Sequence, residues 1–350
     1  MPNIETKPLD DDQRLDWLRL IRSEKVGPVV FRQLVERYGN PAAALEALPD
    51  LARRAGAKRR IRICDSAAAE AEARAARKAG ARLLALCEPD YPAGLRGLDD
   101  APPVIAVLGD AEALNAPCVG IVGARNASAN GRRLAQRLAS DIAEAGFVVA
   151  SGMARGIDTA AHLGTLPRAT VAVLAGGVDV VYPPENAALY AEIRRHGAVI
   201  SEVPLGTQPQ ARHFPRRNRL ISGLALGVVV VEAAKRSGSL ITARCAADQG
   251  REVFAVPGSP LDPRAGGCNR LIRDGATLIE SAADVLDVVA ALAPHGRQPG
   301  RLSESPAESP AESSAQVRLP APEPGNAERA IIEELLGADP IQVDEVVRGQ

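Results

Sequence analysis

Short apolar runs alternate with helical stretches from Ala81 onward, and this alternation is the most regular pattern in the chain. Nine runs rich in Val, Ile, Leu and Ala predict strands at 82–86, 103–108, 119–122, 147–150, 170–174, 198–201, 227–231, 252–256 and 277–279. Runs that are apolar at consecutive positions are typical of strands buried on both faces, as in parallel sheets flanked by helices. The pattern therefore predicts an α/β fold with a mostly parallel sheet, over residues 81–293, whose ligand binds at the carboxyl ends of the strands.

Helical spacing of apolar residues precedes the sheet pattern and predicts a small helical domain over residues 1–80. It comprises a run from Leu15 to Ile21, a helix from Pro28 through Tyr38 and an Ala-rich pair of helices. The turn at residues 23–30 resembles the hairpin of helix-hairpin-helix and SAM-like modules. Backbone N–H groups of such a turn can contact a phosphate, but helix packing or a protein–protein contact explains the turn equally well.

Pro, Ser and Glu dominate the chain after Ala293. The near-repeat at 304–312 is typical of a disordered linker, which we place at 294–325. Beyond the linker, residues 326–350 hold one amphipathic helix and the start of another, and they resemble the opening of a winged-helix domain. They are too few for a complete one, so we expect a truncated or vestigial module and assign no DNA binding to it.

Charge is distributed unevenly along the 350 residues, whose formal net charge is -1. Residues 301–350 carry four arginines and ten acidic residues, whereas eight basic residues accompany only two acidic ones between Arg212 and Arg251. A basic cluster inside a folded domain favours a polyanionic partner, because a merely solvated face is usually interspersed with carboxylates.

The five cysteines are isolated in sequence, which argues against a disulfide framework or a zinc site and fits a reducing cytoplasm. Residues 1–12 are acidic and lack the apolar stretch of a signal peptide. The longest apolar run, 224–234, is too short to cross a bilayer. We therefore expect a soluble, cytoplasmic protein with no membrane insertion.

Candidate chemistry begins at the turn after strand 119–122. Gly123 allows a tight turn, Arg125 lies where helix N–H groups favour an anion, and Ser128 can cap the next helix. Taken alone, an ordinary strand-to-helix turn explains this segment better than an anion site. Further glycine- or arginine-bearing loops at 151–158, 175–186, 213–219 and 235–242 follow other predicted strands, and their consistency predicts a phosphate-lined groove.

Four motifs in fixed order carry a resemblance to a known family. They are Gly123-x-Arg125, Ser151-Gly152-x-Ala154-x-Gly156-Ile157-Asp158, Pro215-x-Arg217-Asn218-Arg219 and Gly238-Ser239-Leu240-Ile241-Thr242. Together they resemble the DprA/Smf family (DNA processing protein A) over residues 15–288. The resemblance implies an extended Rossmann-like fold that binds single-stranded DNA, dimerises and loads the RecA recombinase in natural transformation. The chain departs from the family at Ala124, where a serine is usual.

The loops and the resemblance together nominate a set of residues for DNA contact: Gly123, Arg125, Ser128, Arg155, Arg212, His213, Phe214, Arg216, Arg217, Asn218, Arg219, Lys235, Ser237, Gly238, Ser239 and Thr242. Two of them, His213 and Phe214, have rings that suit base stacking, although Phe214 would serve equally well as a core anchor. The implied partners are single-stranded DNA, RecA, single-strand-binding protein and a second copy of the chain. The implied function is to protect incoming DNA and to load RecA.

Catalysis has little support in the sequence. No Ser/His/Asp set, paired carboxylates or metal-ligand cluster stands at these loops, so neither an enzymatic activity nor a cofactor or metal is expected. Asp158 and His162 could pair or bind a metal, but a local hydrogen bond is the simpler interpretation.

Two rival functions remain open. Lysine-decarboxylase-like phosphoribohydrolases share a related layout, but Thr242 stands where their loop has the catalytic glutamate. A small-nucleotide sensor or carrier could use the same phosphate loops without polymeric DNA.

Overall fold

A computed structural model describes residues 6–54 and 61–293. The strands there are β1 (Arg82–Ala85), β2 (Val104–Gly109), β3 (Cys118–Gly123), β4 (Val148–Ser151), β5 (Thr170–Val173), β6 (Ala198–Ser201), β7 (Gly227–Val231), β8 (Glu252–Ala255) and β9 (Thr277–Leu278). Each lies where an apolar run predicts it, with ends shifted by no more than about one residue. The linker at 294–325 and the winged-helix-like segment at 326–350 lie outside the described residues, and the domain boundaries stay predictions.

The strands are ordered β1-β2-β6-β5-β4-β3-β7-β8-β9 across one sheet. β2 pairs antiparallel with β1 and with β6, whereas every other pair of neighbours is parallel. This order confirms the predicted mostly parallel α/β fold. β3 has β4 on one side and β7 on the other, so the direction of winding reverses at β3. The crevice at such a switch point is where open α/β sheets bind their ligands.

Helices cover the sheet in the described residues. They are α1 (Asp11–Arg22), α2 (Pro28–Tyr38), α3 (Pro41–Arg54), α4 (Ser66–Ala79), α5 (Ala93–Arg96), α6 (Ala129–Glu144), α7 (Ile157–Thr165), α8 (Ala187–His196), α9 (His213–Leu224), α10 (Ser239–Asp248), α11 (Gly266–Arg273) and α12 (Ala282–Leu292). None of the helices in residues 6–54 and 61–293 combines the length and apolar character that a bilayer span needs.

The first four helices confirm the helical segment predicted before the sheet. Asp10 and Gln13 form a capping box that fixes the start of α1. The turn between α1 and α2 passes through Lys25 with a φ of 63°. Arg22 holds this region together, because its guanidinium donates to the carboxylate of Glu72 on α4 at 2.8 Å. Both side chains are largely buried, so the ion pair fixes where α4 packs against α1.

Apolar side chains on alternate positions of each strand fill two layers. In β3, Val119 and Ile121 pack with α6, α7 and α12. Cys118 and Val122 on the same strand pack into the opposite layer, which contains α9, α10 and the N-terminal helices. Burial on both faces is the physical reason that the strands are apolar at consecutive positions.

Gly123 ends β3 at the switch point, where the backbone is closely packed. A Cβ built there would lie 1.9 Å from the carbonyl oxygen of Val231 on β7 and 2.6 Å from the side chain of Ile157 on α7. The ends of β3 and β7 and the start of α7 therefore meet only because no side chain separates them.

Replacing Gly123 by alanine should destabilise the fold. We expect the free energy of unfolding to fall by about 1–3 kcal/mol, because the new methyl group must push backbone aside. Urea unfolding followed by circular dichroism measures the change. Gly97→Ala is the matched control, since nothing lies within 4 Å of its Cβ position. Equal unfolding midpoints for the two variants would contradict the close packing at Gly123.

Candidate nucleic-acid interface

An arginine and two aromatic rings form a stack at the carboxyl edge of the sheet. Arg125, after β3, places its guanidinium carbon 4.9 Å from the centroid of the Phe214 ring in the first turn of α9. Tyr182, from the loop after β5, lies 5.8 Å from the same ring, with the planes tilted by 58°. We call Arg125, Tyr182 and Phe214 the aromatic stack. Tyr182 is 47% exposed and Arg125 is exposed, so the stack offers solvent-facing surfaces for a planar ring.

Arg217, one helical turn after Phe214, is a buried cation with unused donors. It is only 5% exposed, and its guanidinium packs against the backbone of Gly152, where a Cβ would lie 1.5 Å from Nη1. Its Nε and Nη1 atoms have no hydrogen-bond partner within the protein. Leaving buried donors unpaired costs about 1–3 kcal/mol, and more for a charged group, so such donors call for a functional explanation.

The charge of Arg217 is balanced at longer range by the buried carboxylate of Asp158. Burial lowers the pKa of Arg217 to about 10, Asp158 opposes that shift, and the neighbouring charge of Arg125 adds to it. Burial raises the pKa of Asp158. Arg217 lowers that pKa by its positive charge, and so does the N–H of Ala154, which donates to the carboxylate at 3.2 Å. Arg125 and Arg217 are thus close enough for their positive charges to add at one place.

Asp158 and His162 have separate partners. The Nδ1 atom of His162 lies 2.8 Å from the hydroxyl of Thr170 on β5. Burial lowers the pKa of His162 to about 3, and Arg217 adds to the shift, so the imidazole stays neutral at physiological pH. Across residues 6–54 and 61–293, no three His, Cys, Asp or Glu side chains are grouped so that they could hold a metal ion.

The predicted hydroxyl contact at Ser128 is engaged within the protein. Ser128 caps α6 by accepting from the N–H of Gly131 at 2.9 Å, and its hydroxyl donates to Glu232 just after β7. Its own N–H donates to the other carboxylate oxygen of Glu232 at 2.8 Å. The anion at the start of α6 is therefore the chain's own carboxylate. Sequence reasoning missed this pairing because the two residues are 104 positions apart.

The loop after β7 joins the same edge of the sheet. Asn218 on α9 donates to the carbonyl oxygen of Gly238 at 3.3 Å, which ties this loop to the helix that carries Phe214. The hydroxyls of Ser237 and Ser239 lie 2.7 Å apart and bond to each other. Lys235, in the same loop, is exposed.

Two of the predicted contact residues, Arg219 and Thr242, are paired or buried within the protein. Arg219 is held between carboxylates, with Glu202 bonded to Nη2 and Asp100 at 3.1 Å from Nε. Thr242 lies inside α10 and is only 1% exposed. The charge of Arg219 is already paired, and Thr242 is buried. Neither residue is therefore part of the phosphate path proposed below.

The remaining predicted residues lie around the stack. Arg155, exposed after β4, is ion-paired with Glu185 from the loop after β5. Arg212 donates to the Nε2 atom of His213 at 3.5 Å. Burial lowers the pKa of His213, with Arg212 and Arg216 adding to the shift. These neighbours disfavour the charged form of the His213 ring.

Arg216 is exposed on α9 and lines a cleft of about 250 Å³. Residues 26–28, which are the end of the turn after α1 and the first residue of α2, line the same cleft. The cleft therefore lies between the helical segment and the helix that carries Phe214.

Tyr182 is the member of the aromatic stack to which sequence reasoning gave no role. The signal for it was present, because its loop follows a predicted strand and its ring belongs to the same sheet edge as Arg125. Phe214 is half-buried, and its ring contacts Arg125 and Tyr182.

Two family models match the chain. The model described as DNA recombination-mediator protein A matches residues 82–290, from β1 into α12. The model described as DprA-like N-terminal HHH domain matches residues 11–75, which hold α1 to most of α4. The second match confirms that the first helices are a helix-hairpin-helix segment.

Individual relatives agree with these matches. DNA processing protein DprA from Bacillus subtilis (strain 168) is 44% identical over 214 residues, covering 60% of this chain and 72% of its own. The X-ray structure of DprA from Streptococcus pneumoniae has a TM-score of 0.65 and 34% identity, covering 79% of this chain and 96% of its own. DNA processing protein A from Helicobacter pylori, whose structure describes a unique single-stranded DNA binding mode, has a TM-score of 0.56 and 28% identity over 60% of this chain and 96% of its own.

These matches cover the mostly parallel sheet, the N-terminal helix-hairpin-helix segment and the four ordered motifs at the carboxyl edge. The chain belongs to the DNA recombination-mediator protein A family, also named DprA or Smf.

Proposed function

We propose that the chain binds single-stranded DNA along the carboxyl edge of its sheet, with a base at the aromatic stack. The observation that carries this proposal is the packing of Arg125 on Phe214, which puts a cation and an aromatic face side by side at the switch point. Aromatic faces flanked by positive charge bind single strands of any sequence, because every base has a π-face and every nucleotide a phosphate. The single-stranded DNA binding mode described for the Helicobacter pylori relative supports the same class of ligand.

The phosphate path follows the cations at this edge. Arg125, Lys235 and Arg236 are exposed after the adjacent strands β3 and β7. Arg217 contributes from inside, because a buried positive charge with unused donors strengthens the field that a phosphate meets. A duplex keeps its base faces stacked on one another, so the aromatic stack favours single strands.

We further infer that the chain acts as a recombination mediator by holding DNA in a form that RecA can use. In this role it protects incoming strands in the cytoplasm and hands them from single-strand-binding protein to RecA during natural transformation. A dimer would strengthen the effect, because two linked sites raise each other's effective concentration of DNA. Leu261, which is 92% exposed after β8, and Leu278 on the edge strand β9 offer apolar surface for a second copy.

Arg125→Ala should flatten the salt dependence of oligonucleotide binding. For single strands, the log–log slope changes by about 0.7 for each phosphate contact that is lost. Fluorescence anisotropy with labelled oligo(dT) across a salt series measures the slope. Arg82→Ala is the matched control, because Arg82 is exposed at the far end of the sheet and paired with Asp90. A slope that Arg125→Ala leaves unchanged would move the phosphate path elsewhere.

Substitutions at Phe214 should separate stacking from anchoring. Phe214→Leu keeps an apolar anchor but removes the aromatic face, so we expect it to lose about 5- to 150-fold in oligo(dT) affinity, as for one stacked base. Phe214→Tyr should retain the affinity, and competition with blunt duplex should show a smaller preference for single strands in the leucine variant only. Equal affinity of the native chain for duplex and single strand would refute the stacking role.

The mediator role predicts a dimer that shortens the lag of RecA. Sedimentation at micromolar concentration should show a dimer, and Leu261→Glu should shift it toward monomer while oligo(dT) binding by each protomer is retained. The onset of RecA ATPase activity on strands coated with single-strand-binding protein should come earlier when the native chain is added. A strict monomer that leaves this lag unchanged would reduce the function to DNA binding.

A further inference from the structure

Glu232, the residue immediately after β7, has an unusual backbone conformation. Its φ is 53°, in the left-handed region that non-glycine residues rarely adopt. The position lies at the switch point, since β7 pairs with β3 there. The carboxylate extends from this turn to Ser128, the N-cap of α6.

The carboxylate occupies the place where an anion would bind a helix N-terminus. One oxygen accepts the N–H of Ser128 at 2.8 Å and the other accepts its hydroxyl. A Cβ built on Gly131, in the first turn of α6, would lie 2.5 Å from the carboxylate carbon. The missing side chain at Gly131 is therefore what lets the carboxylate lie against the helix start.

Nucleotide-binding sheets of this architecture place a phosphate at the start of the helix after the switch-point strand, where N–H groups and the helix dipole favour negative charge. In this chain α6 is that helix, and Glu232 supplies the negative charge from within. Glu232 has no ion-pair partner among the described residues, and Arg264, the arginine whose pKa it influences, is held by Asp262 at 2.9 Å. No cation of the described residues is therefore paired with the carboxylate in a way that would offset its repulsion of a second anion.

We propose that Glu232 is a specificity-determining residue that excludes mononucleotide phosphates from the start of α6. It leaves the outer surface at the aromatic stack as the place where phosphates bind, and that surface suits a strand with several linked nucleotides. This inference rests on the proposed function and extends it, because it explains why the edge takes polymers rather than single nucleotides.

Titration with dTMP tests the role of Glu232. Glu232→Ala should gain at least about tenfold in dTMP affinity over the native chain, because like charges in contact repel by more than one decade in affinity. Glu232→Gln keeps an acceptor for the Ser128 N–H and removes only the charge, so it should gain less than alanine but more than the native chain. Glu252→Gln, which removes a half-buried carboxylate at the opposite edge of the sheet, is the matched control and should show no gain.

Thermal unfolding and oligo(dT) binding are measured on the same variants. If Glu232→Ala does not fold, the glutamine variant decides the question by itself, since it preserves the hydrogen bond to the helix. A dTMP affinity within about twofold of the native value in every folded Glu232 variant overturns the proposal. Failure of the native chain to bind oligo(dT) counts instead against the proposed function, because the dTMP comparison does not depend on the strand.

Discussion

The close approach of the ends of β3 and β7 is the constraint on which the carboxyl edge depends. At Gly123 the two strands and α7 share a space that has no room for a methyl group. That contact sets where the loop with Arg125 leaves the sheet and how near it comes to the first turn of α9. It also brings Glu232 within reach of the start of α6. A single backbone contact therefore positions both the cation that faces solvent and the carboxylate that faces inward.

Positive charge at this edge lies both at the surface and in the interior. Arg125 is exposed, whereas Arg217 lies within the protein against Gly152, with Asp158 as its distant counter-charge. Burying a cation costs desolvation free energy. The buried charge of Arg217 in turn creates a positive potential that solvent screens only weakly. Arg219, two residues further along α9, shows the alternative: its charge is paired with Glu202, which ties α9 to the residue after β6.

Sequence patterns predicted the strands well because burial on both faces leaves a run of apolar residues that few other structures produce. The edge at which the loops meet followed from the same argument, since parallel strands place their carboxyl ends together. The outward or inward direction of each side chain was beyond such reasoning. Arg217, Arg219 and Thr242 share a motif with exposed residues, yet their burial is decided by partners such as Gly152 and Glu202 that are distant in the chain. Glu232 was missed for the same reason, because its partner Ser128 is 104 positions away.

The guanidinium of Arg125 lies over the Phe214 ring. In the binding mode proposed above, a base that comes to the same face replaces the guanidinium, and the attraction between cation and ring is lost when the new stack forms. Binding at this position therefore exchanges the guanidinium for a base on the Phe214 ring. The binding enthalpy is the difference between the energies of these two stacking contacts. The released guanidinium is then free to follow the phosphate of the incoming nucleotide.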